Sequence, residues 1–118
     1  MISIVFYQYA NVAGAAHPNN SCHAVTIDLK TAEALALSDF IGSQADLEKS
    51  VADGKYEVIY GGLKTFTTEG ILGVIRTSLE RVTVDRNTQN FYISDGGKIC
   101  IIIDLPHGGG GYSVVKIG

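Results

Sequence analysis

The chain has 118 residues, of which 46% are hydrophobic and 18% charged, and its formal net charge is -3. A chain of this length makes one domain with one core, and its composition is that of a packed protein rather than a disordered one. The lysines and arginines are spread singly along the sequence, so no basic groove and no nucleic-acid partner are expected. The longest apolar run, Ile99–Ile103, falls far short of the roughly 20 residues that cross a bilayer, so this segment should not insert into a membrane.

The first quarter of the chain predicts two strands. Residues 2 to 9 are rich in β-branched and aromatic side chains, which is typical of a strand. Residues 11 to 21 have the Gly, Pro and Asn content of a loop. Apolar and polar residues then alternate from Cys22 to Leu29, so we expect a second strand paired antiparallel with the first. The apolar side chains between residues 35 and 40 should hold the next turn against the core.

A short helix is predicted after residue 42. Ser43 can cap it, with Asp46 three residues further on. Leu47 and Val51 lie one turn apart, and Gly54 is a natural end for the helix.

The middle of the chain predicts a brief strand and a second helix. Residues 56 to 60 alternate up to a pair of glycines. From Thr68 to about Arg81, apolar residues recur at helical spacing and form one stripe.

The last third predicts a hairpin and a final strand. Residues 91–94 and 98–104 flank an Asp-Gly-Gly turn. Tyr112 to Ile117 follows a glycine run and reads as a strand. Together these elements predict an α+β fold, an antiparallel β-sheet with about two helices packed on one face.

Three segments, at residues 14–18, 28–40 and 90–103, together resemble DUF3298, an extracytoplasmic domain found with lysozyme-sensing anti-sigma factors and peptidoglycan deacetylases. The loop Gly14-Ala-Ala-His-Pro18 is similar to the Gly-Gly-Ala-His loop of that family. Asp28-Leu-Lys-Thr, with Leu35-Ala-Leu-Ser-Asp-Phe40, is similar to its Asp-Leu-Lys-Thr-Gly and Leu-Thr-Leu-Ser-Asp-Leu-Phe motifs. Asn90-Phe-Tyr-Ile93, with the isoleucine strand, resembles its Phe-Tyr hairpin. In place of the family's Pro-Tyr-Ala-Ala-Gly segment, this chain has Pro106-His-Gly-Gly-Gly110.

The resemblance implies one domain over residues 1–118, part of a longer protein outside the cytoplasmic membrane. It implies a binding or sensing domain without catalytic residues, cofactor or metal, whose partner is a cell-wall glycan or a lysozyme-like protein. We expect binding by the loops at residues 11–20 and 106–112, with His17, His107 and Tyr112 as the exposed candidates.

A small metal-dependent or hydrolytic enzyme that uses His17, Cys22 and His107 is the alternative. The ligand spacing is irregular for zinc, and no Gly-x-Ser-x-Gly nucleophile motif accompanies the His-Gly-Gly-Gly segment at residue 107. Cys22 and Cys100 are either two buried thiols or a disulfide, and the sequence leaves this open because the Cα separation decides it.

Overall fold

The computed structural model describes residues 1–10, 19–77, 90–104 and 111–118. The strands and α-helices within these ranges are β1 (Ile2–Ala10), β2 (Asn19–Asp28), β3 (Glu33–Ala34), α1 (Gln44–Ala52), β4 (Tyr56–Tyr60), α2 (Thr68–Thr77), β5 (Phe91–Ile93), β6 (Ile99–Asp104) and β7 (Tyr112–Ile117). Two short 3-10 helices, Leu37–Asp39 and Gly62–Thr65, connect some of them.

The described strands form two antiparallel sheets. The small sheet has the order β1-β2-β3, and the large sheet has the order β4-β7-β6-β5. The predicted pairing of the first two strands is confirmed, in a register that runs from Ile2 opposite Ile27 to Ala10 opposite Asn19. The α+β class with antiparallel strands is also confirmed. The sequence pattern predicted one sheet, however, and the division into two is new.

One face of the large sheet packs against the two helices. The cluster there joins alternate residues of β5, β6 and β7 to residues of the helices and of the segments around them. Its buried members are Leu37, Ile41, Leu47, Val51, Leu63, Ile71, Leu72, Ile75, Phe91, Ile101, Ile103, Val115 and Ile117. Burying apolar side chains of this size contributes about 1.5–3 kcal/mol each, so this cluster is the main core of the fold.

The first helix begins and ends as predicted. The Ser43 hydroxyl accepts a hydrogen bond from the Asp46 amide at 3.2 Å. This bond satisfies one of the amides that have no partner within the first turn of a helix. Leu47 and Val51 are fully buried. Gly54 has φ +75° just after the helix, a conformation that favours glycine.

The second helix and the hairpin also form. The helix begins at Thr68, and it is described as far as Thr77; the predicted continuation to Arg81 lies outside the described residues. Ile71 and Ile75 on the predicted stripe are buried. In the hairpin, β5 pairs with β6 in register, and Gly97 at the turn has φ +76°.

The small sheet covers the other face of the large sheet. Buried residues from both sheets meet there in what we call the inter-sheet cluster: Cys22, Cys100, Ile102, Tyr112 and Val114, with Val5, Ala24 and Tyr92 packed against them. The described structure therefore has three layers, the small sheet, the large sheet and the helices.

Candidate binding surface

The outward face of the small sheet is apolar. Ile2, Ile4 and Phe6 of β1 lie on this face because side chains alternate along a strand, and their exposed fractions are 45%, 39% and 57%. Val25 and Ile27 of β2 lie opposite Ile4 and Ile2 and are half-buried. We call these five residues the apolar face.

The apolar face is exposed because the small sheet uses its other face for packing. Val5, Cys22 and Ala24 point toward the large sheet in the inter-sheet cluster. A contiguous apolar patch on the surface of a domain marks a site of interaction more often than isolated apolar residues do. His23, opposite Phe6, is the polar neighbour of the patch and is exposed.

Hydroxyl groups fasten one end of β1 to the large sheet. The Ser3 and Thr26 hydroxyl oxygens are 2.7 Å apart across the strand pair. The Ile93 amide of β5 donates to the Ser3 hydroxyl at 3.0 Å. Thr26 is only 1% exposed, so these bonds satisfy polar groups that would otherwise be costly to bury.

Asn90 makes a second connection between the sheets. Its Oδ1 accepts from the Ala24 amide at 3.4 Å, and its Nδ2 donates to the Cys22 carbonyl at 3.4 Å. Nδ2 also lies 3.2 Å from His23 Nδ1. The side chain of Asn90 thus contacts the edge of β2 much as a neighbouring strand would. The backbone carbonyl of Asn90 accepts a hydrogen bond from the Ile102 amide.

Burial in the inter-sheet cluster favours the neutral forms of Tyr92, Cys100 and Tyr112. Burial, together with a hydrogen bond that the Tyr112 hydroxyl donates to Tyr60, raises the pKa of Tyr112 to about 12. Burial also raises the pKa of Cys100, against the opposing effects of Tyr92 and Lys116. The pKa of Tyr92 is raised by burial and by Cys100. A thiol whose pKa is raised is a poor nucleophile at neutral pH, so this cluster has a packing role.

A shallow cavity of about 340 Å³ lies between β4 and α2. Its apolar lining includes Val58, Leu63 and Phe66, and Phe66 is 47% exposed. The Tyr56 hydroxyl at this site lies 2.8 Å from Thr68 Oγ1. Because these two hydroxyls bond to each other, the cavity offers fewer polar groups to a ligand.

The predicted binding residues have different outcomes. His17 and His107 lie outside the described residues, so their binding role stays a prediction. Tyr112 is only 7% exposed, and the prediction that it is exposed is wrong. It stacks on Tyr60, with ring centroids 4.7 Å apart, at the face that the small sheet covers. Among the side chains that the structure describes, the exposed aromatic ones are instead those of Phe6 and Tyr7 in β1, together with Tyr60 and Phe66.

The alternative enzyme site gains no support from Cys22. This residue is 1% exposed and lies in the inter-sheet cluster, so the described residues around it shield its thiol from a substrate. Both cysteines are thiols rather than a disulfide. Within the described ranges, no group of three or more His, Cys, Asp or Glu side chains is arranged to hold a metal ion. Nor do these ranges contain a helix with the length and apolar character of a membrane span.

The sequence of β1 does not distinguish the exposed apolar face from the face that packs against the large sheet. Ile2, Ile4 and Phe6 alternate with Val5 and Tyr7, so both faces of β1 are apolar. Alternation identifies two faces, but it cannot tell which one a second sheet will cover.

The chain matches no protein-family model, no curated protein and no solved structure. The resemblance to DUF3298 therefore remains a prediction from the sequence.

Proposed function

We propose that this chain is a non-catalytic binding or sensing domain that acts outside the cytoplasm and recognises a cell-envelope protein or glycan related to lysozyme or peptidoglycan. The observation that supports binding is the apolar face of Ile2, Ile4, Phe6, Val25 and Ile27, which a partner can cover. The resemblance to DUF3298 supports the location and the class of ligand.

The chemistry of the apolar face favours a protein over a glycan. Sugar hydroxyls lose their hydrogen bonds to water on binding and need polar groups to replace them. Among the described side chains, His23 is a polar neighbour of Phe6, and the five residues of the apolar face offer only hydrocarbon. An apolar centre with a polar edge is the usual arrangement of a protein interface.

A binding experiment with matched variants tests the proposal. Immobilised protein is titrated with lysozyme and, separately, with soluble muropeptides. We expect saturable binding of lysozyme, weakened about tenfold by Phe6→Ser, since central aromatic residues contribute most to interfaces. Phe66→Ser is the control, because Phe66 is similarly exposed but lies at the cavity between β4 and α2.

The possible results separate the alternatives. Saturable muropeptide binding that Phe6→Ser weakens would replace the protein ligand with a glycan at the same face. Binding that Phe66→Ser weakens and Phe6→Ser leaves intact would move the site to the cavity. No saturable binding of either ligand would contradict the proposal. Labelling of the native protein on intact cells with a membrane-impermeant reagent tests the location.

A further inference from the structure

The edges of the two described sheets differ in how they are protected from pairing with another strand. β3 has two residues and β5 has three, which is too short for extended pairing. β4 has an irregular register between Val58 and Tyr60 and carries Glu57, paired with Lys116 at 2.9 Å. Short length, irregularity and charge are the usual means by which edge strands avoid association.

β1 has none of these protective features. It is nine residues long, and its register with β2 is continuous. No residue of the strand is charged, and none is proline. A long, regular, uncharged edge strand is a surface for pairing with another strand.

The contacts of β2 show which backbone groups of β1 face this edge. The Thr26 carbonyl accepts from the Leu35 amide at 2.7 Å, and the Ala24 amide and Cys22 carbonyl bond to Asn90. These three residues of β2 therefore direct their backbone groups away from β1. In an antiparallel pair the bonding direction alternates along each strand.

It follows from the register that Ile2, Ile4 and Phe6 bond to β2. The residues between them, Ser3, Val5 and Tyr7, then direct their amides and carbonyls toward the open edge. Among the described residues, no backbone hydrogen bond to these groups comes from another loop.

We propose that β1 pairs antiparallel with β1 of a second copy of this chain, about a two-fold axis at Val5. In this register Val5 faces its own counterpart, and Ser3 faces Tyr7 of the second copy, so the outward-facing amides and carbonyls are satisfied reciprocally. On the outer side, Ile4 lies opposite Phe6 of the second copy. The two small sheets become one continuous sheet, and their apolar faces join into a single larger surface.

The sequence of β1 favours a second copy as the occupant. An uncharged strand meets itself without repulsion between like charges, and the register places apolar residues opposite apolar residues on the outer side. A two-fold interface of this kind uses the same patch on both subunits and closes at two copies. The apolar face stays open, so this pairing does not exclude the binding proposed above.

Sedimentation velocity over a concentration series from micromolar to millimolar tests the pairing. The mean mass of the wild-type protein should rise from one chain to two. Tyr7→Pro should stay monomeric, because proline removes an amide that faces the open edge and leaves the bonds to β2 in place. Tyr7→Ala is the matched control: it removes the same exposed side chain but keeps the amide, and its dimerisation should stay within about threefold of wild type.

Amide hydrogen exchange gives a test that needs no variant. The amides of Ser3, Val5 and Tyr7 should become protected as the protein concentration rises, whereas the amide of Phe6 should be protected throughout. A wild-type protein that stays monomeric would overturn the proposal, and so would equal weakening by Tyr7→Pro and Tyr7→Ala. Assemblies that grow beyond two copies would also overturn it, because the two-fold pairing closes.

Discussion

Replacing Asn90 by alanine should loosen the small sheet while the helix-covered side of the large sheet stays intact. The change removes the acceptor for the Ala24 amide and the donor to the Cys22 carbonyl, both on the edge of β2. It also removes the contact of Nδ2 with His23 Nδ1, which is exposed, so water replaces the lost partner there. It keeps the backbone carbonyl of residue 90, which accepts a hydrogen bond from the Ile102 amide at 3.0 Å. The perturbation therefore acts on the link between the sheets rather than on the pairing of β5 and β6.

The expected size of the effect follows from the geometry. Both bonds measure 3.4 Å, longer than the usual range for such bonds, so each should contribute about 0.5 kcal/mol, the low end for a hydrogen bond in a protein. Together they amount to about 1 kcal/mol, which corresponds to a roughly fivefold change in an opening equilibrium. The Ala24 amide should therefore exchange about fivefold faster in Asn90→Ala.

Native-state hydrogen exchange is the assay, with Asn90→Asp as the matched variant. Aspartate keeps an acceptor for the Ala24 amide but loses the donor to the Cys22 carbonyl. The Ala24 amide should exchange more slowly in Asn90→Asp than in Asn90→Ala. Unchanged exchange at Ala24 would refute the reasoning. An equal acceleration at Ala24 and at the amides of β6 would also refute it, because that would be global destabilisation.

Three further predictions concern a close backbone contact at Gly61, the buried phenol of Tyr112 and the two buried thiols. Gly61→Ala should destabilise the fold by about 2 kcal/mol or more, because φ is +96° and a Cβ would overlap the Tyr112 carbonyl oxygen. Gly96→Ala, at an open position of the hairpin turn, is the control, and urea unfolding measures both. Stability should fall as the pH rises from about 10 to about 12, because unfolding releases Tyr112 from a folded pKa of about 12 to its ordinary value near 10. Below that pH range the stabilising contribution of Tyr112 is fully present. Urea unfolding at each pH measures the loss of stability, which should be smaller in Tyr112→Phe than in the wild-type protein. The same dependence of stability on pH in both proteins would contradict this role of Tyr112. Cys22 and Cys100, each 1% exposed, should react with a thiol reagent only after unfolding, and rapid reaction of the native protein would contradict their burial.

Most helices and strands could be predicted because their signals are local. The serine cap of α1 and the Asp-Gly-Gly turn act over a few residues, and each formed where the sequence placed it. The pairing of β1 with β2 also followed from two patterned segments joined by one loop. Such features need no knowledge of what packs above or below the strand.

The layering of the sheets could not be predicted in the same way. Alternation assigns Tyr112 and Val114 to one face of β7 and Val115 to the other, yet all three are buried because the large sheet is covered on both sides. Consecutive apolar residues, as in Ile101–Ile103, are the available signal for a strand buried on both faces. That signal indicates a central strand, but it does not say that another sheet provides the cover.

The small sheet should be the first part of the described structure to open, and a partner on its apolar face should oppose this. Its inward face contributes small side chains such as Val5, Cys22 and Ala24 to packing, while Ile2, Ile4 and Phe6 are 39–57% exposed. Covering the exposed half of three such side chains contributes roughly 3 kcal/mol. That is close to the stabilisation given by a ligand at about one hundred times its dissociation constant.

A partner that covers the apolar face would stabilise this layer by about that amount, which would let a ligand control how often the layer opens. With saturating partner, exchange of the β2 amides should slow by up to about a hundredfold, and much more than exchange of the β6 amides. A uniform slowing across both sheets would instead mean that binding stabilises the domain only as a whole. In that case the small sheet would be a docking surface without a separate conformational response.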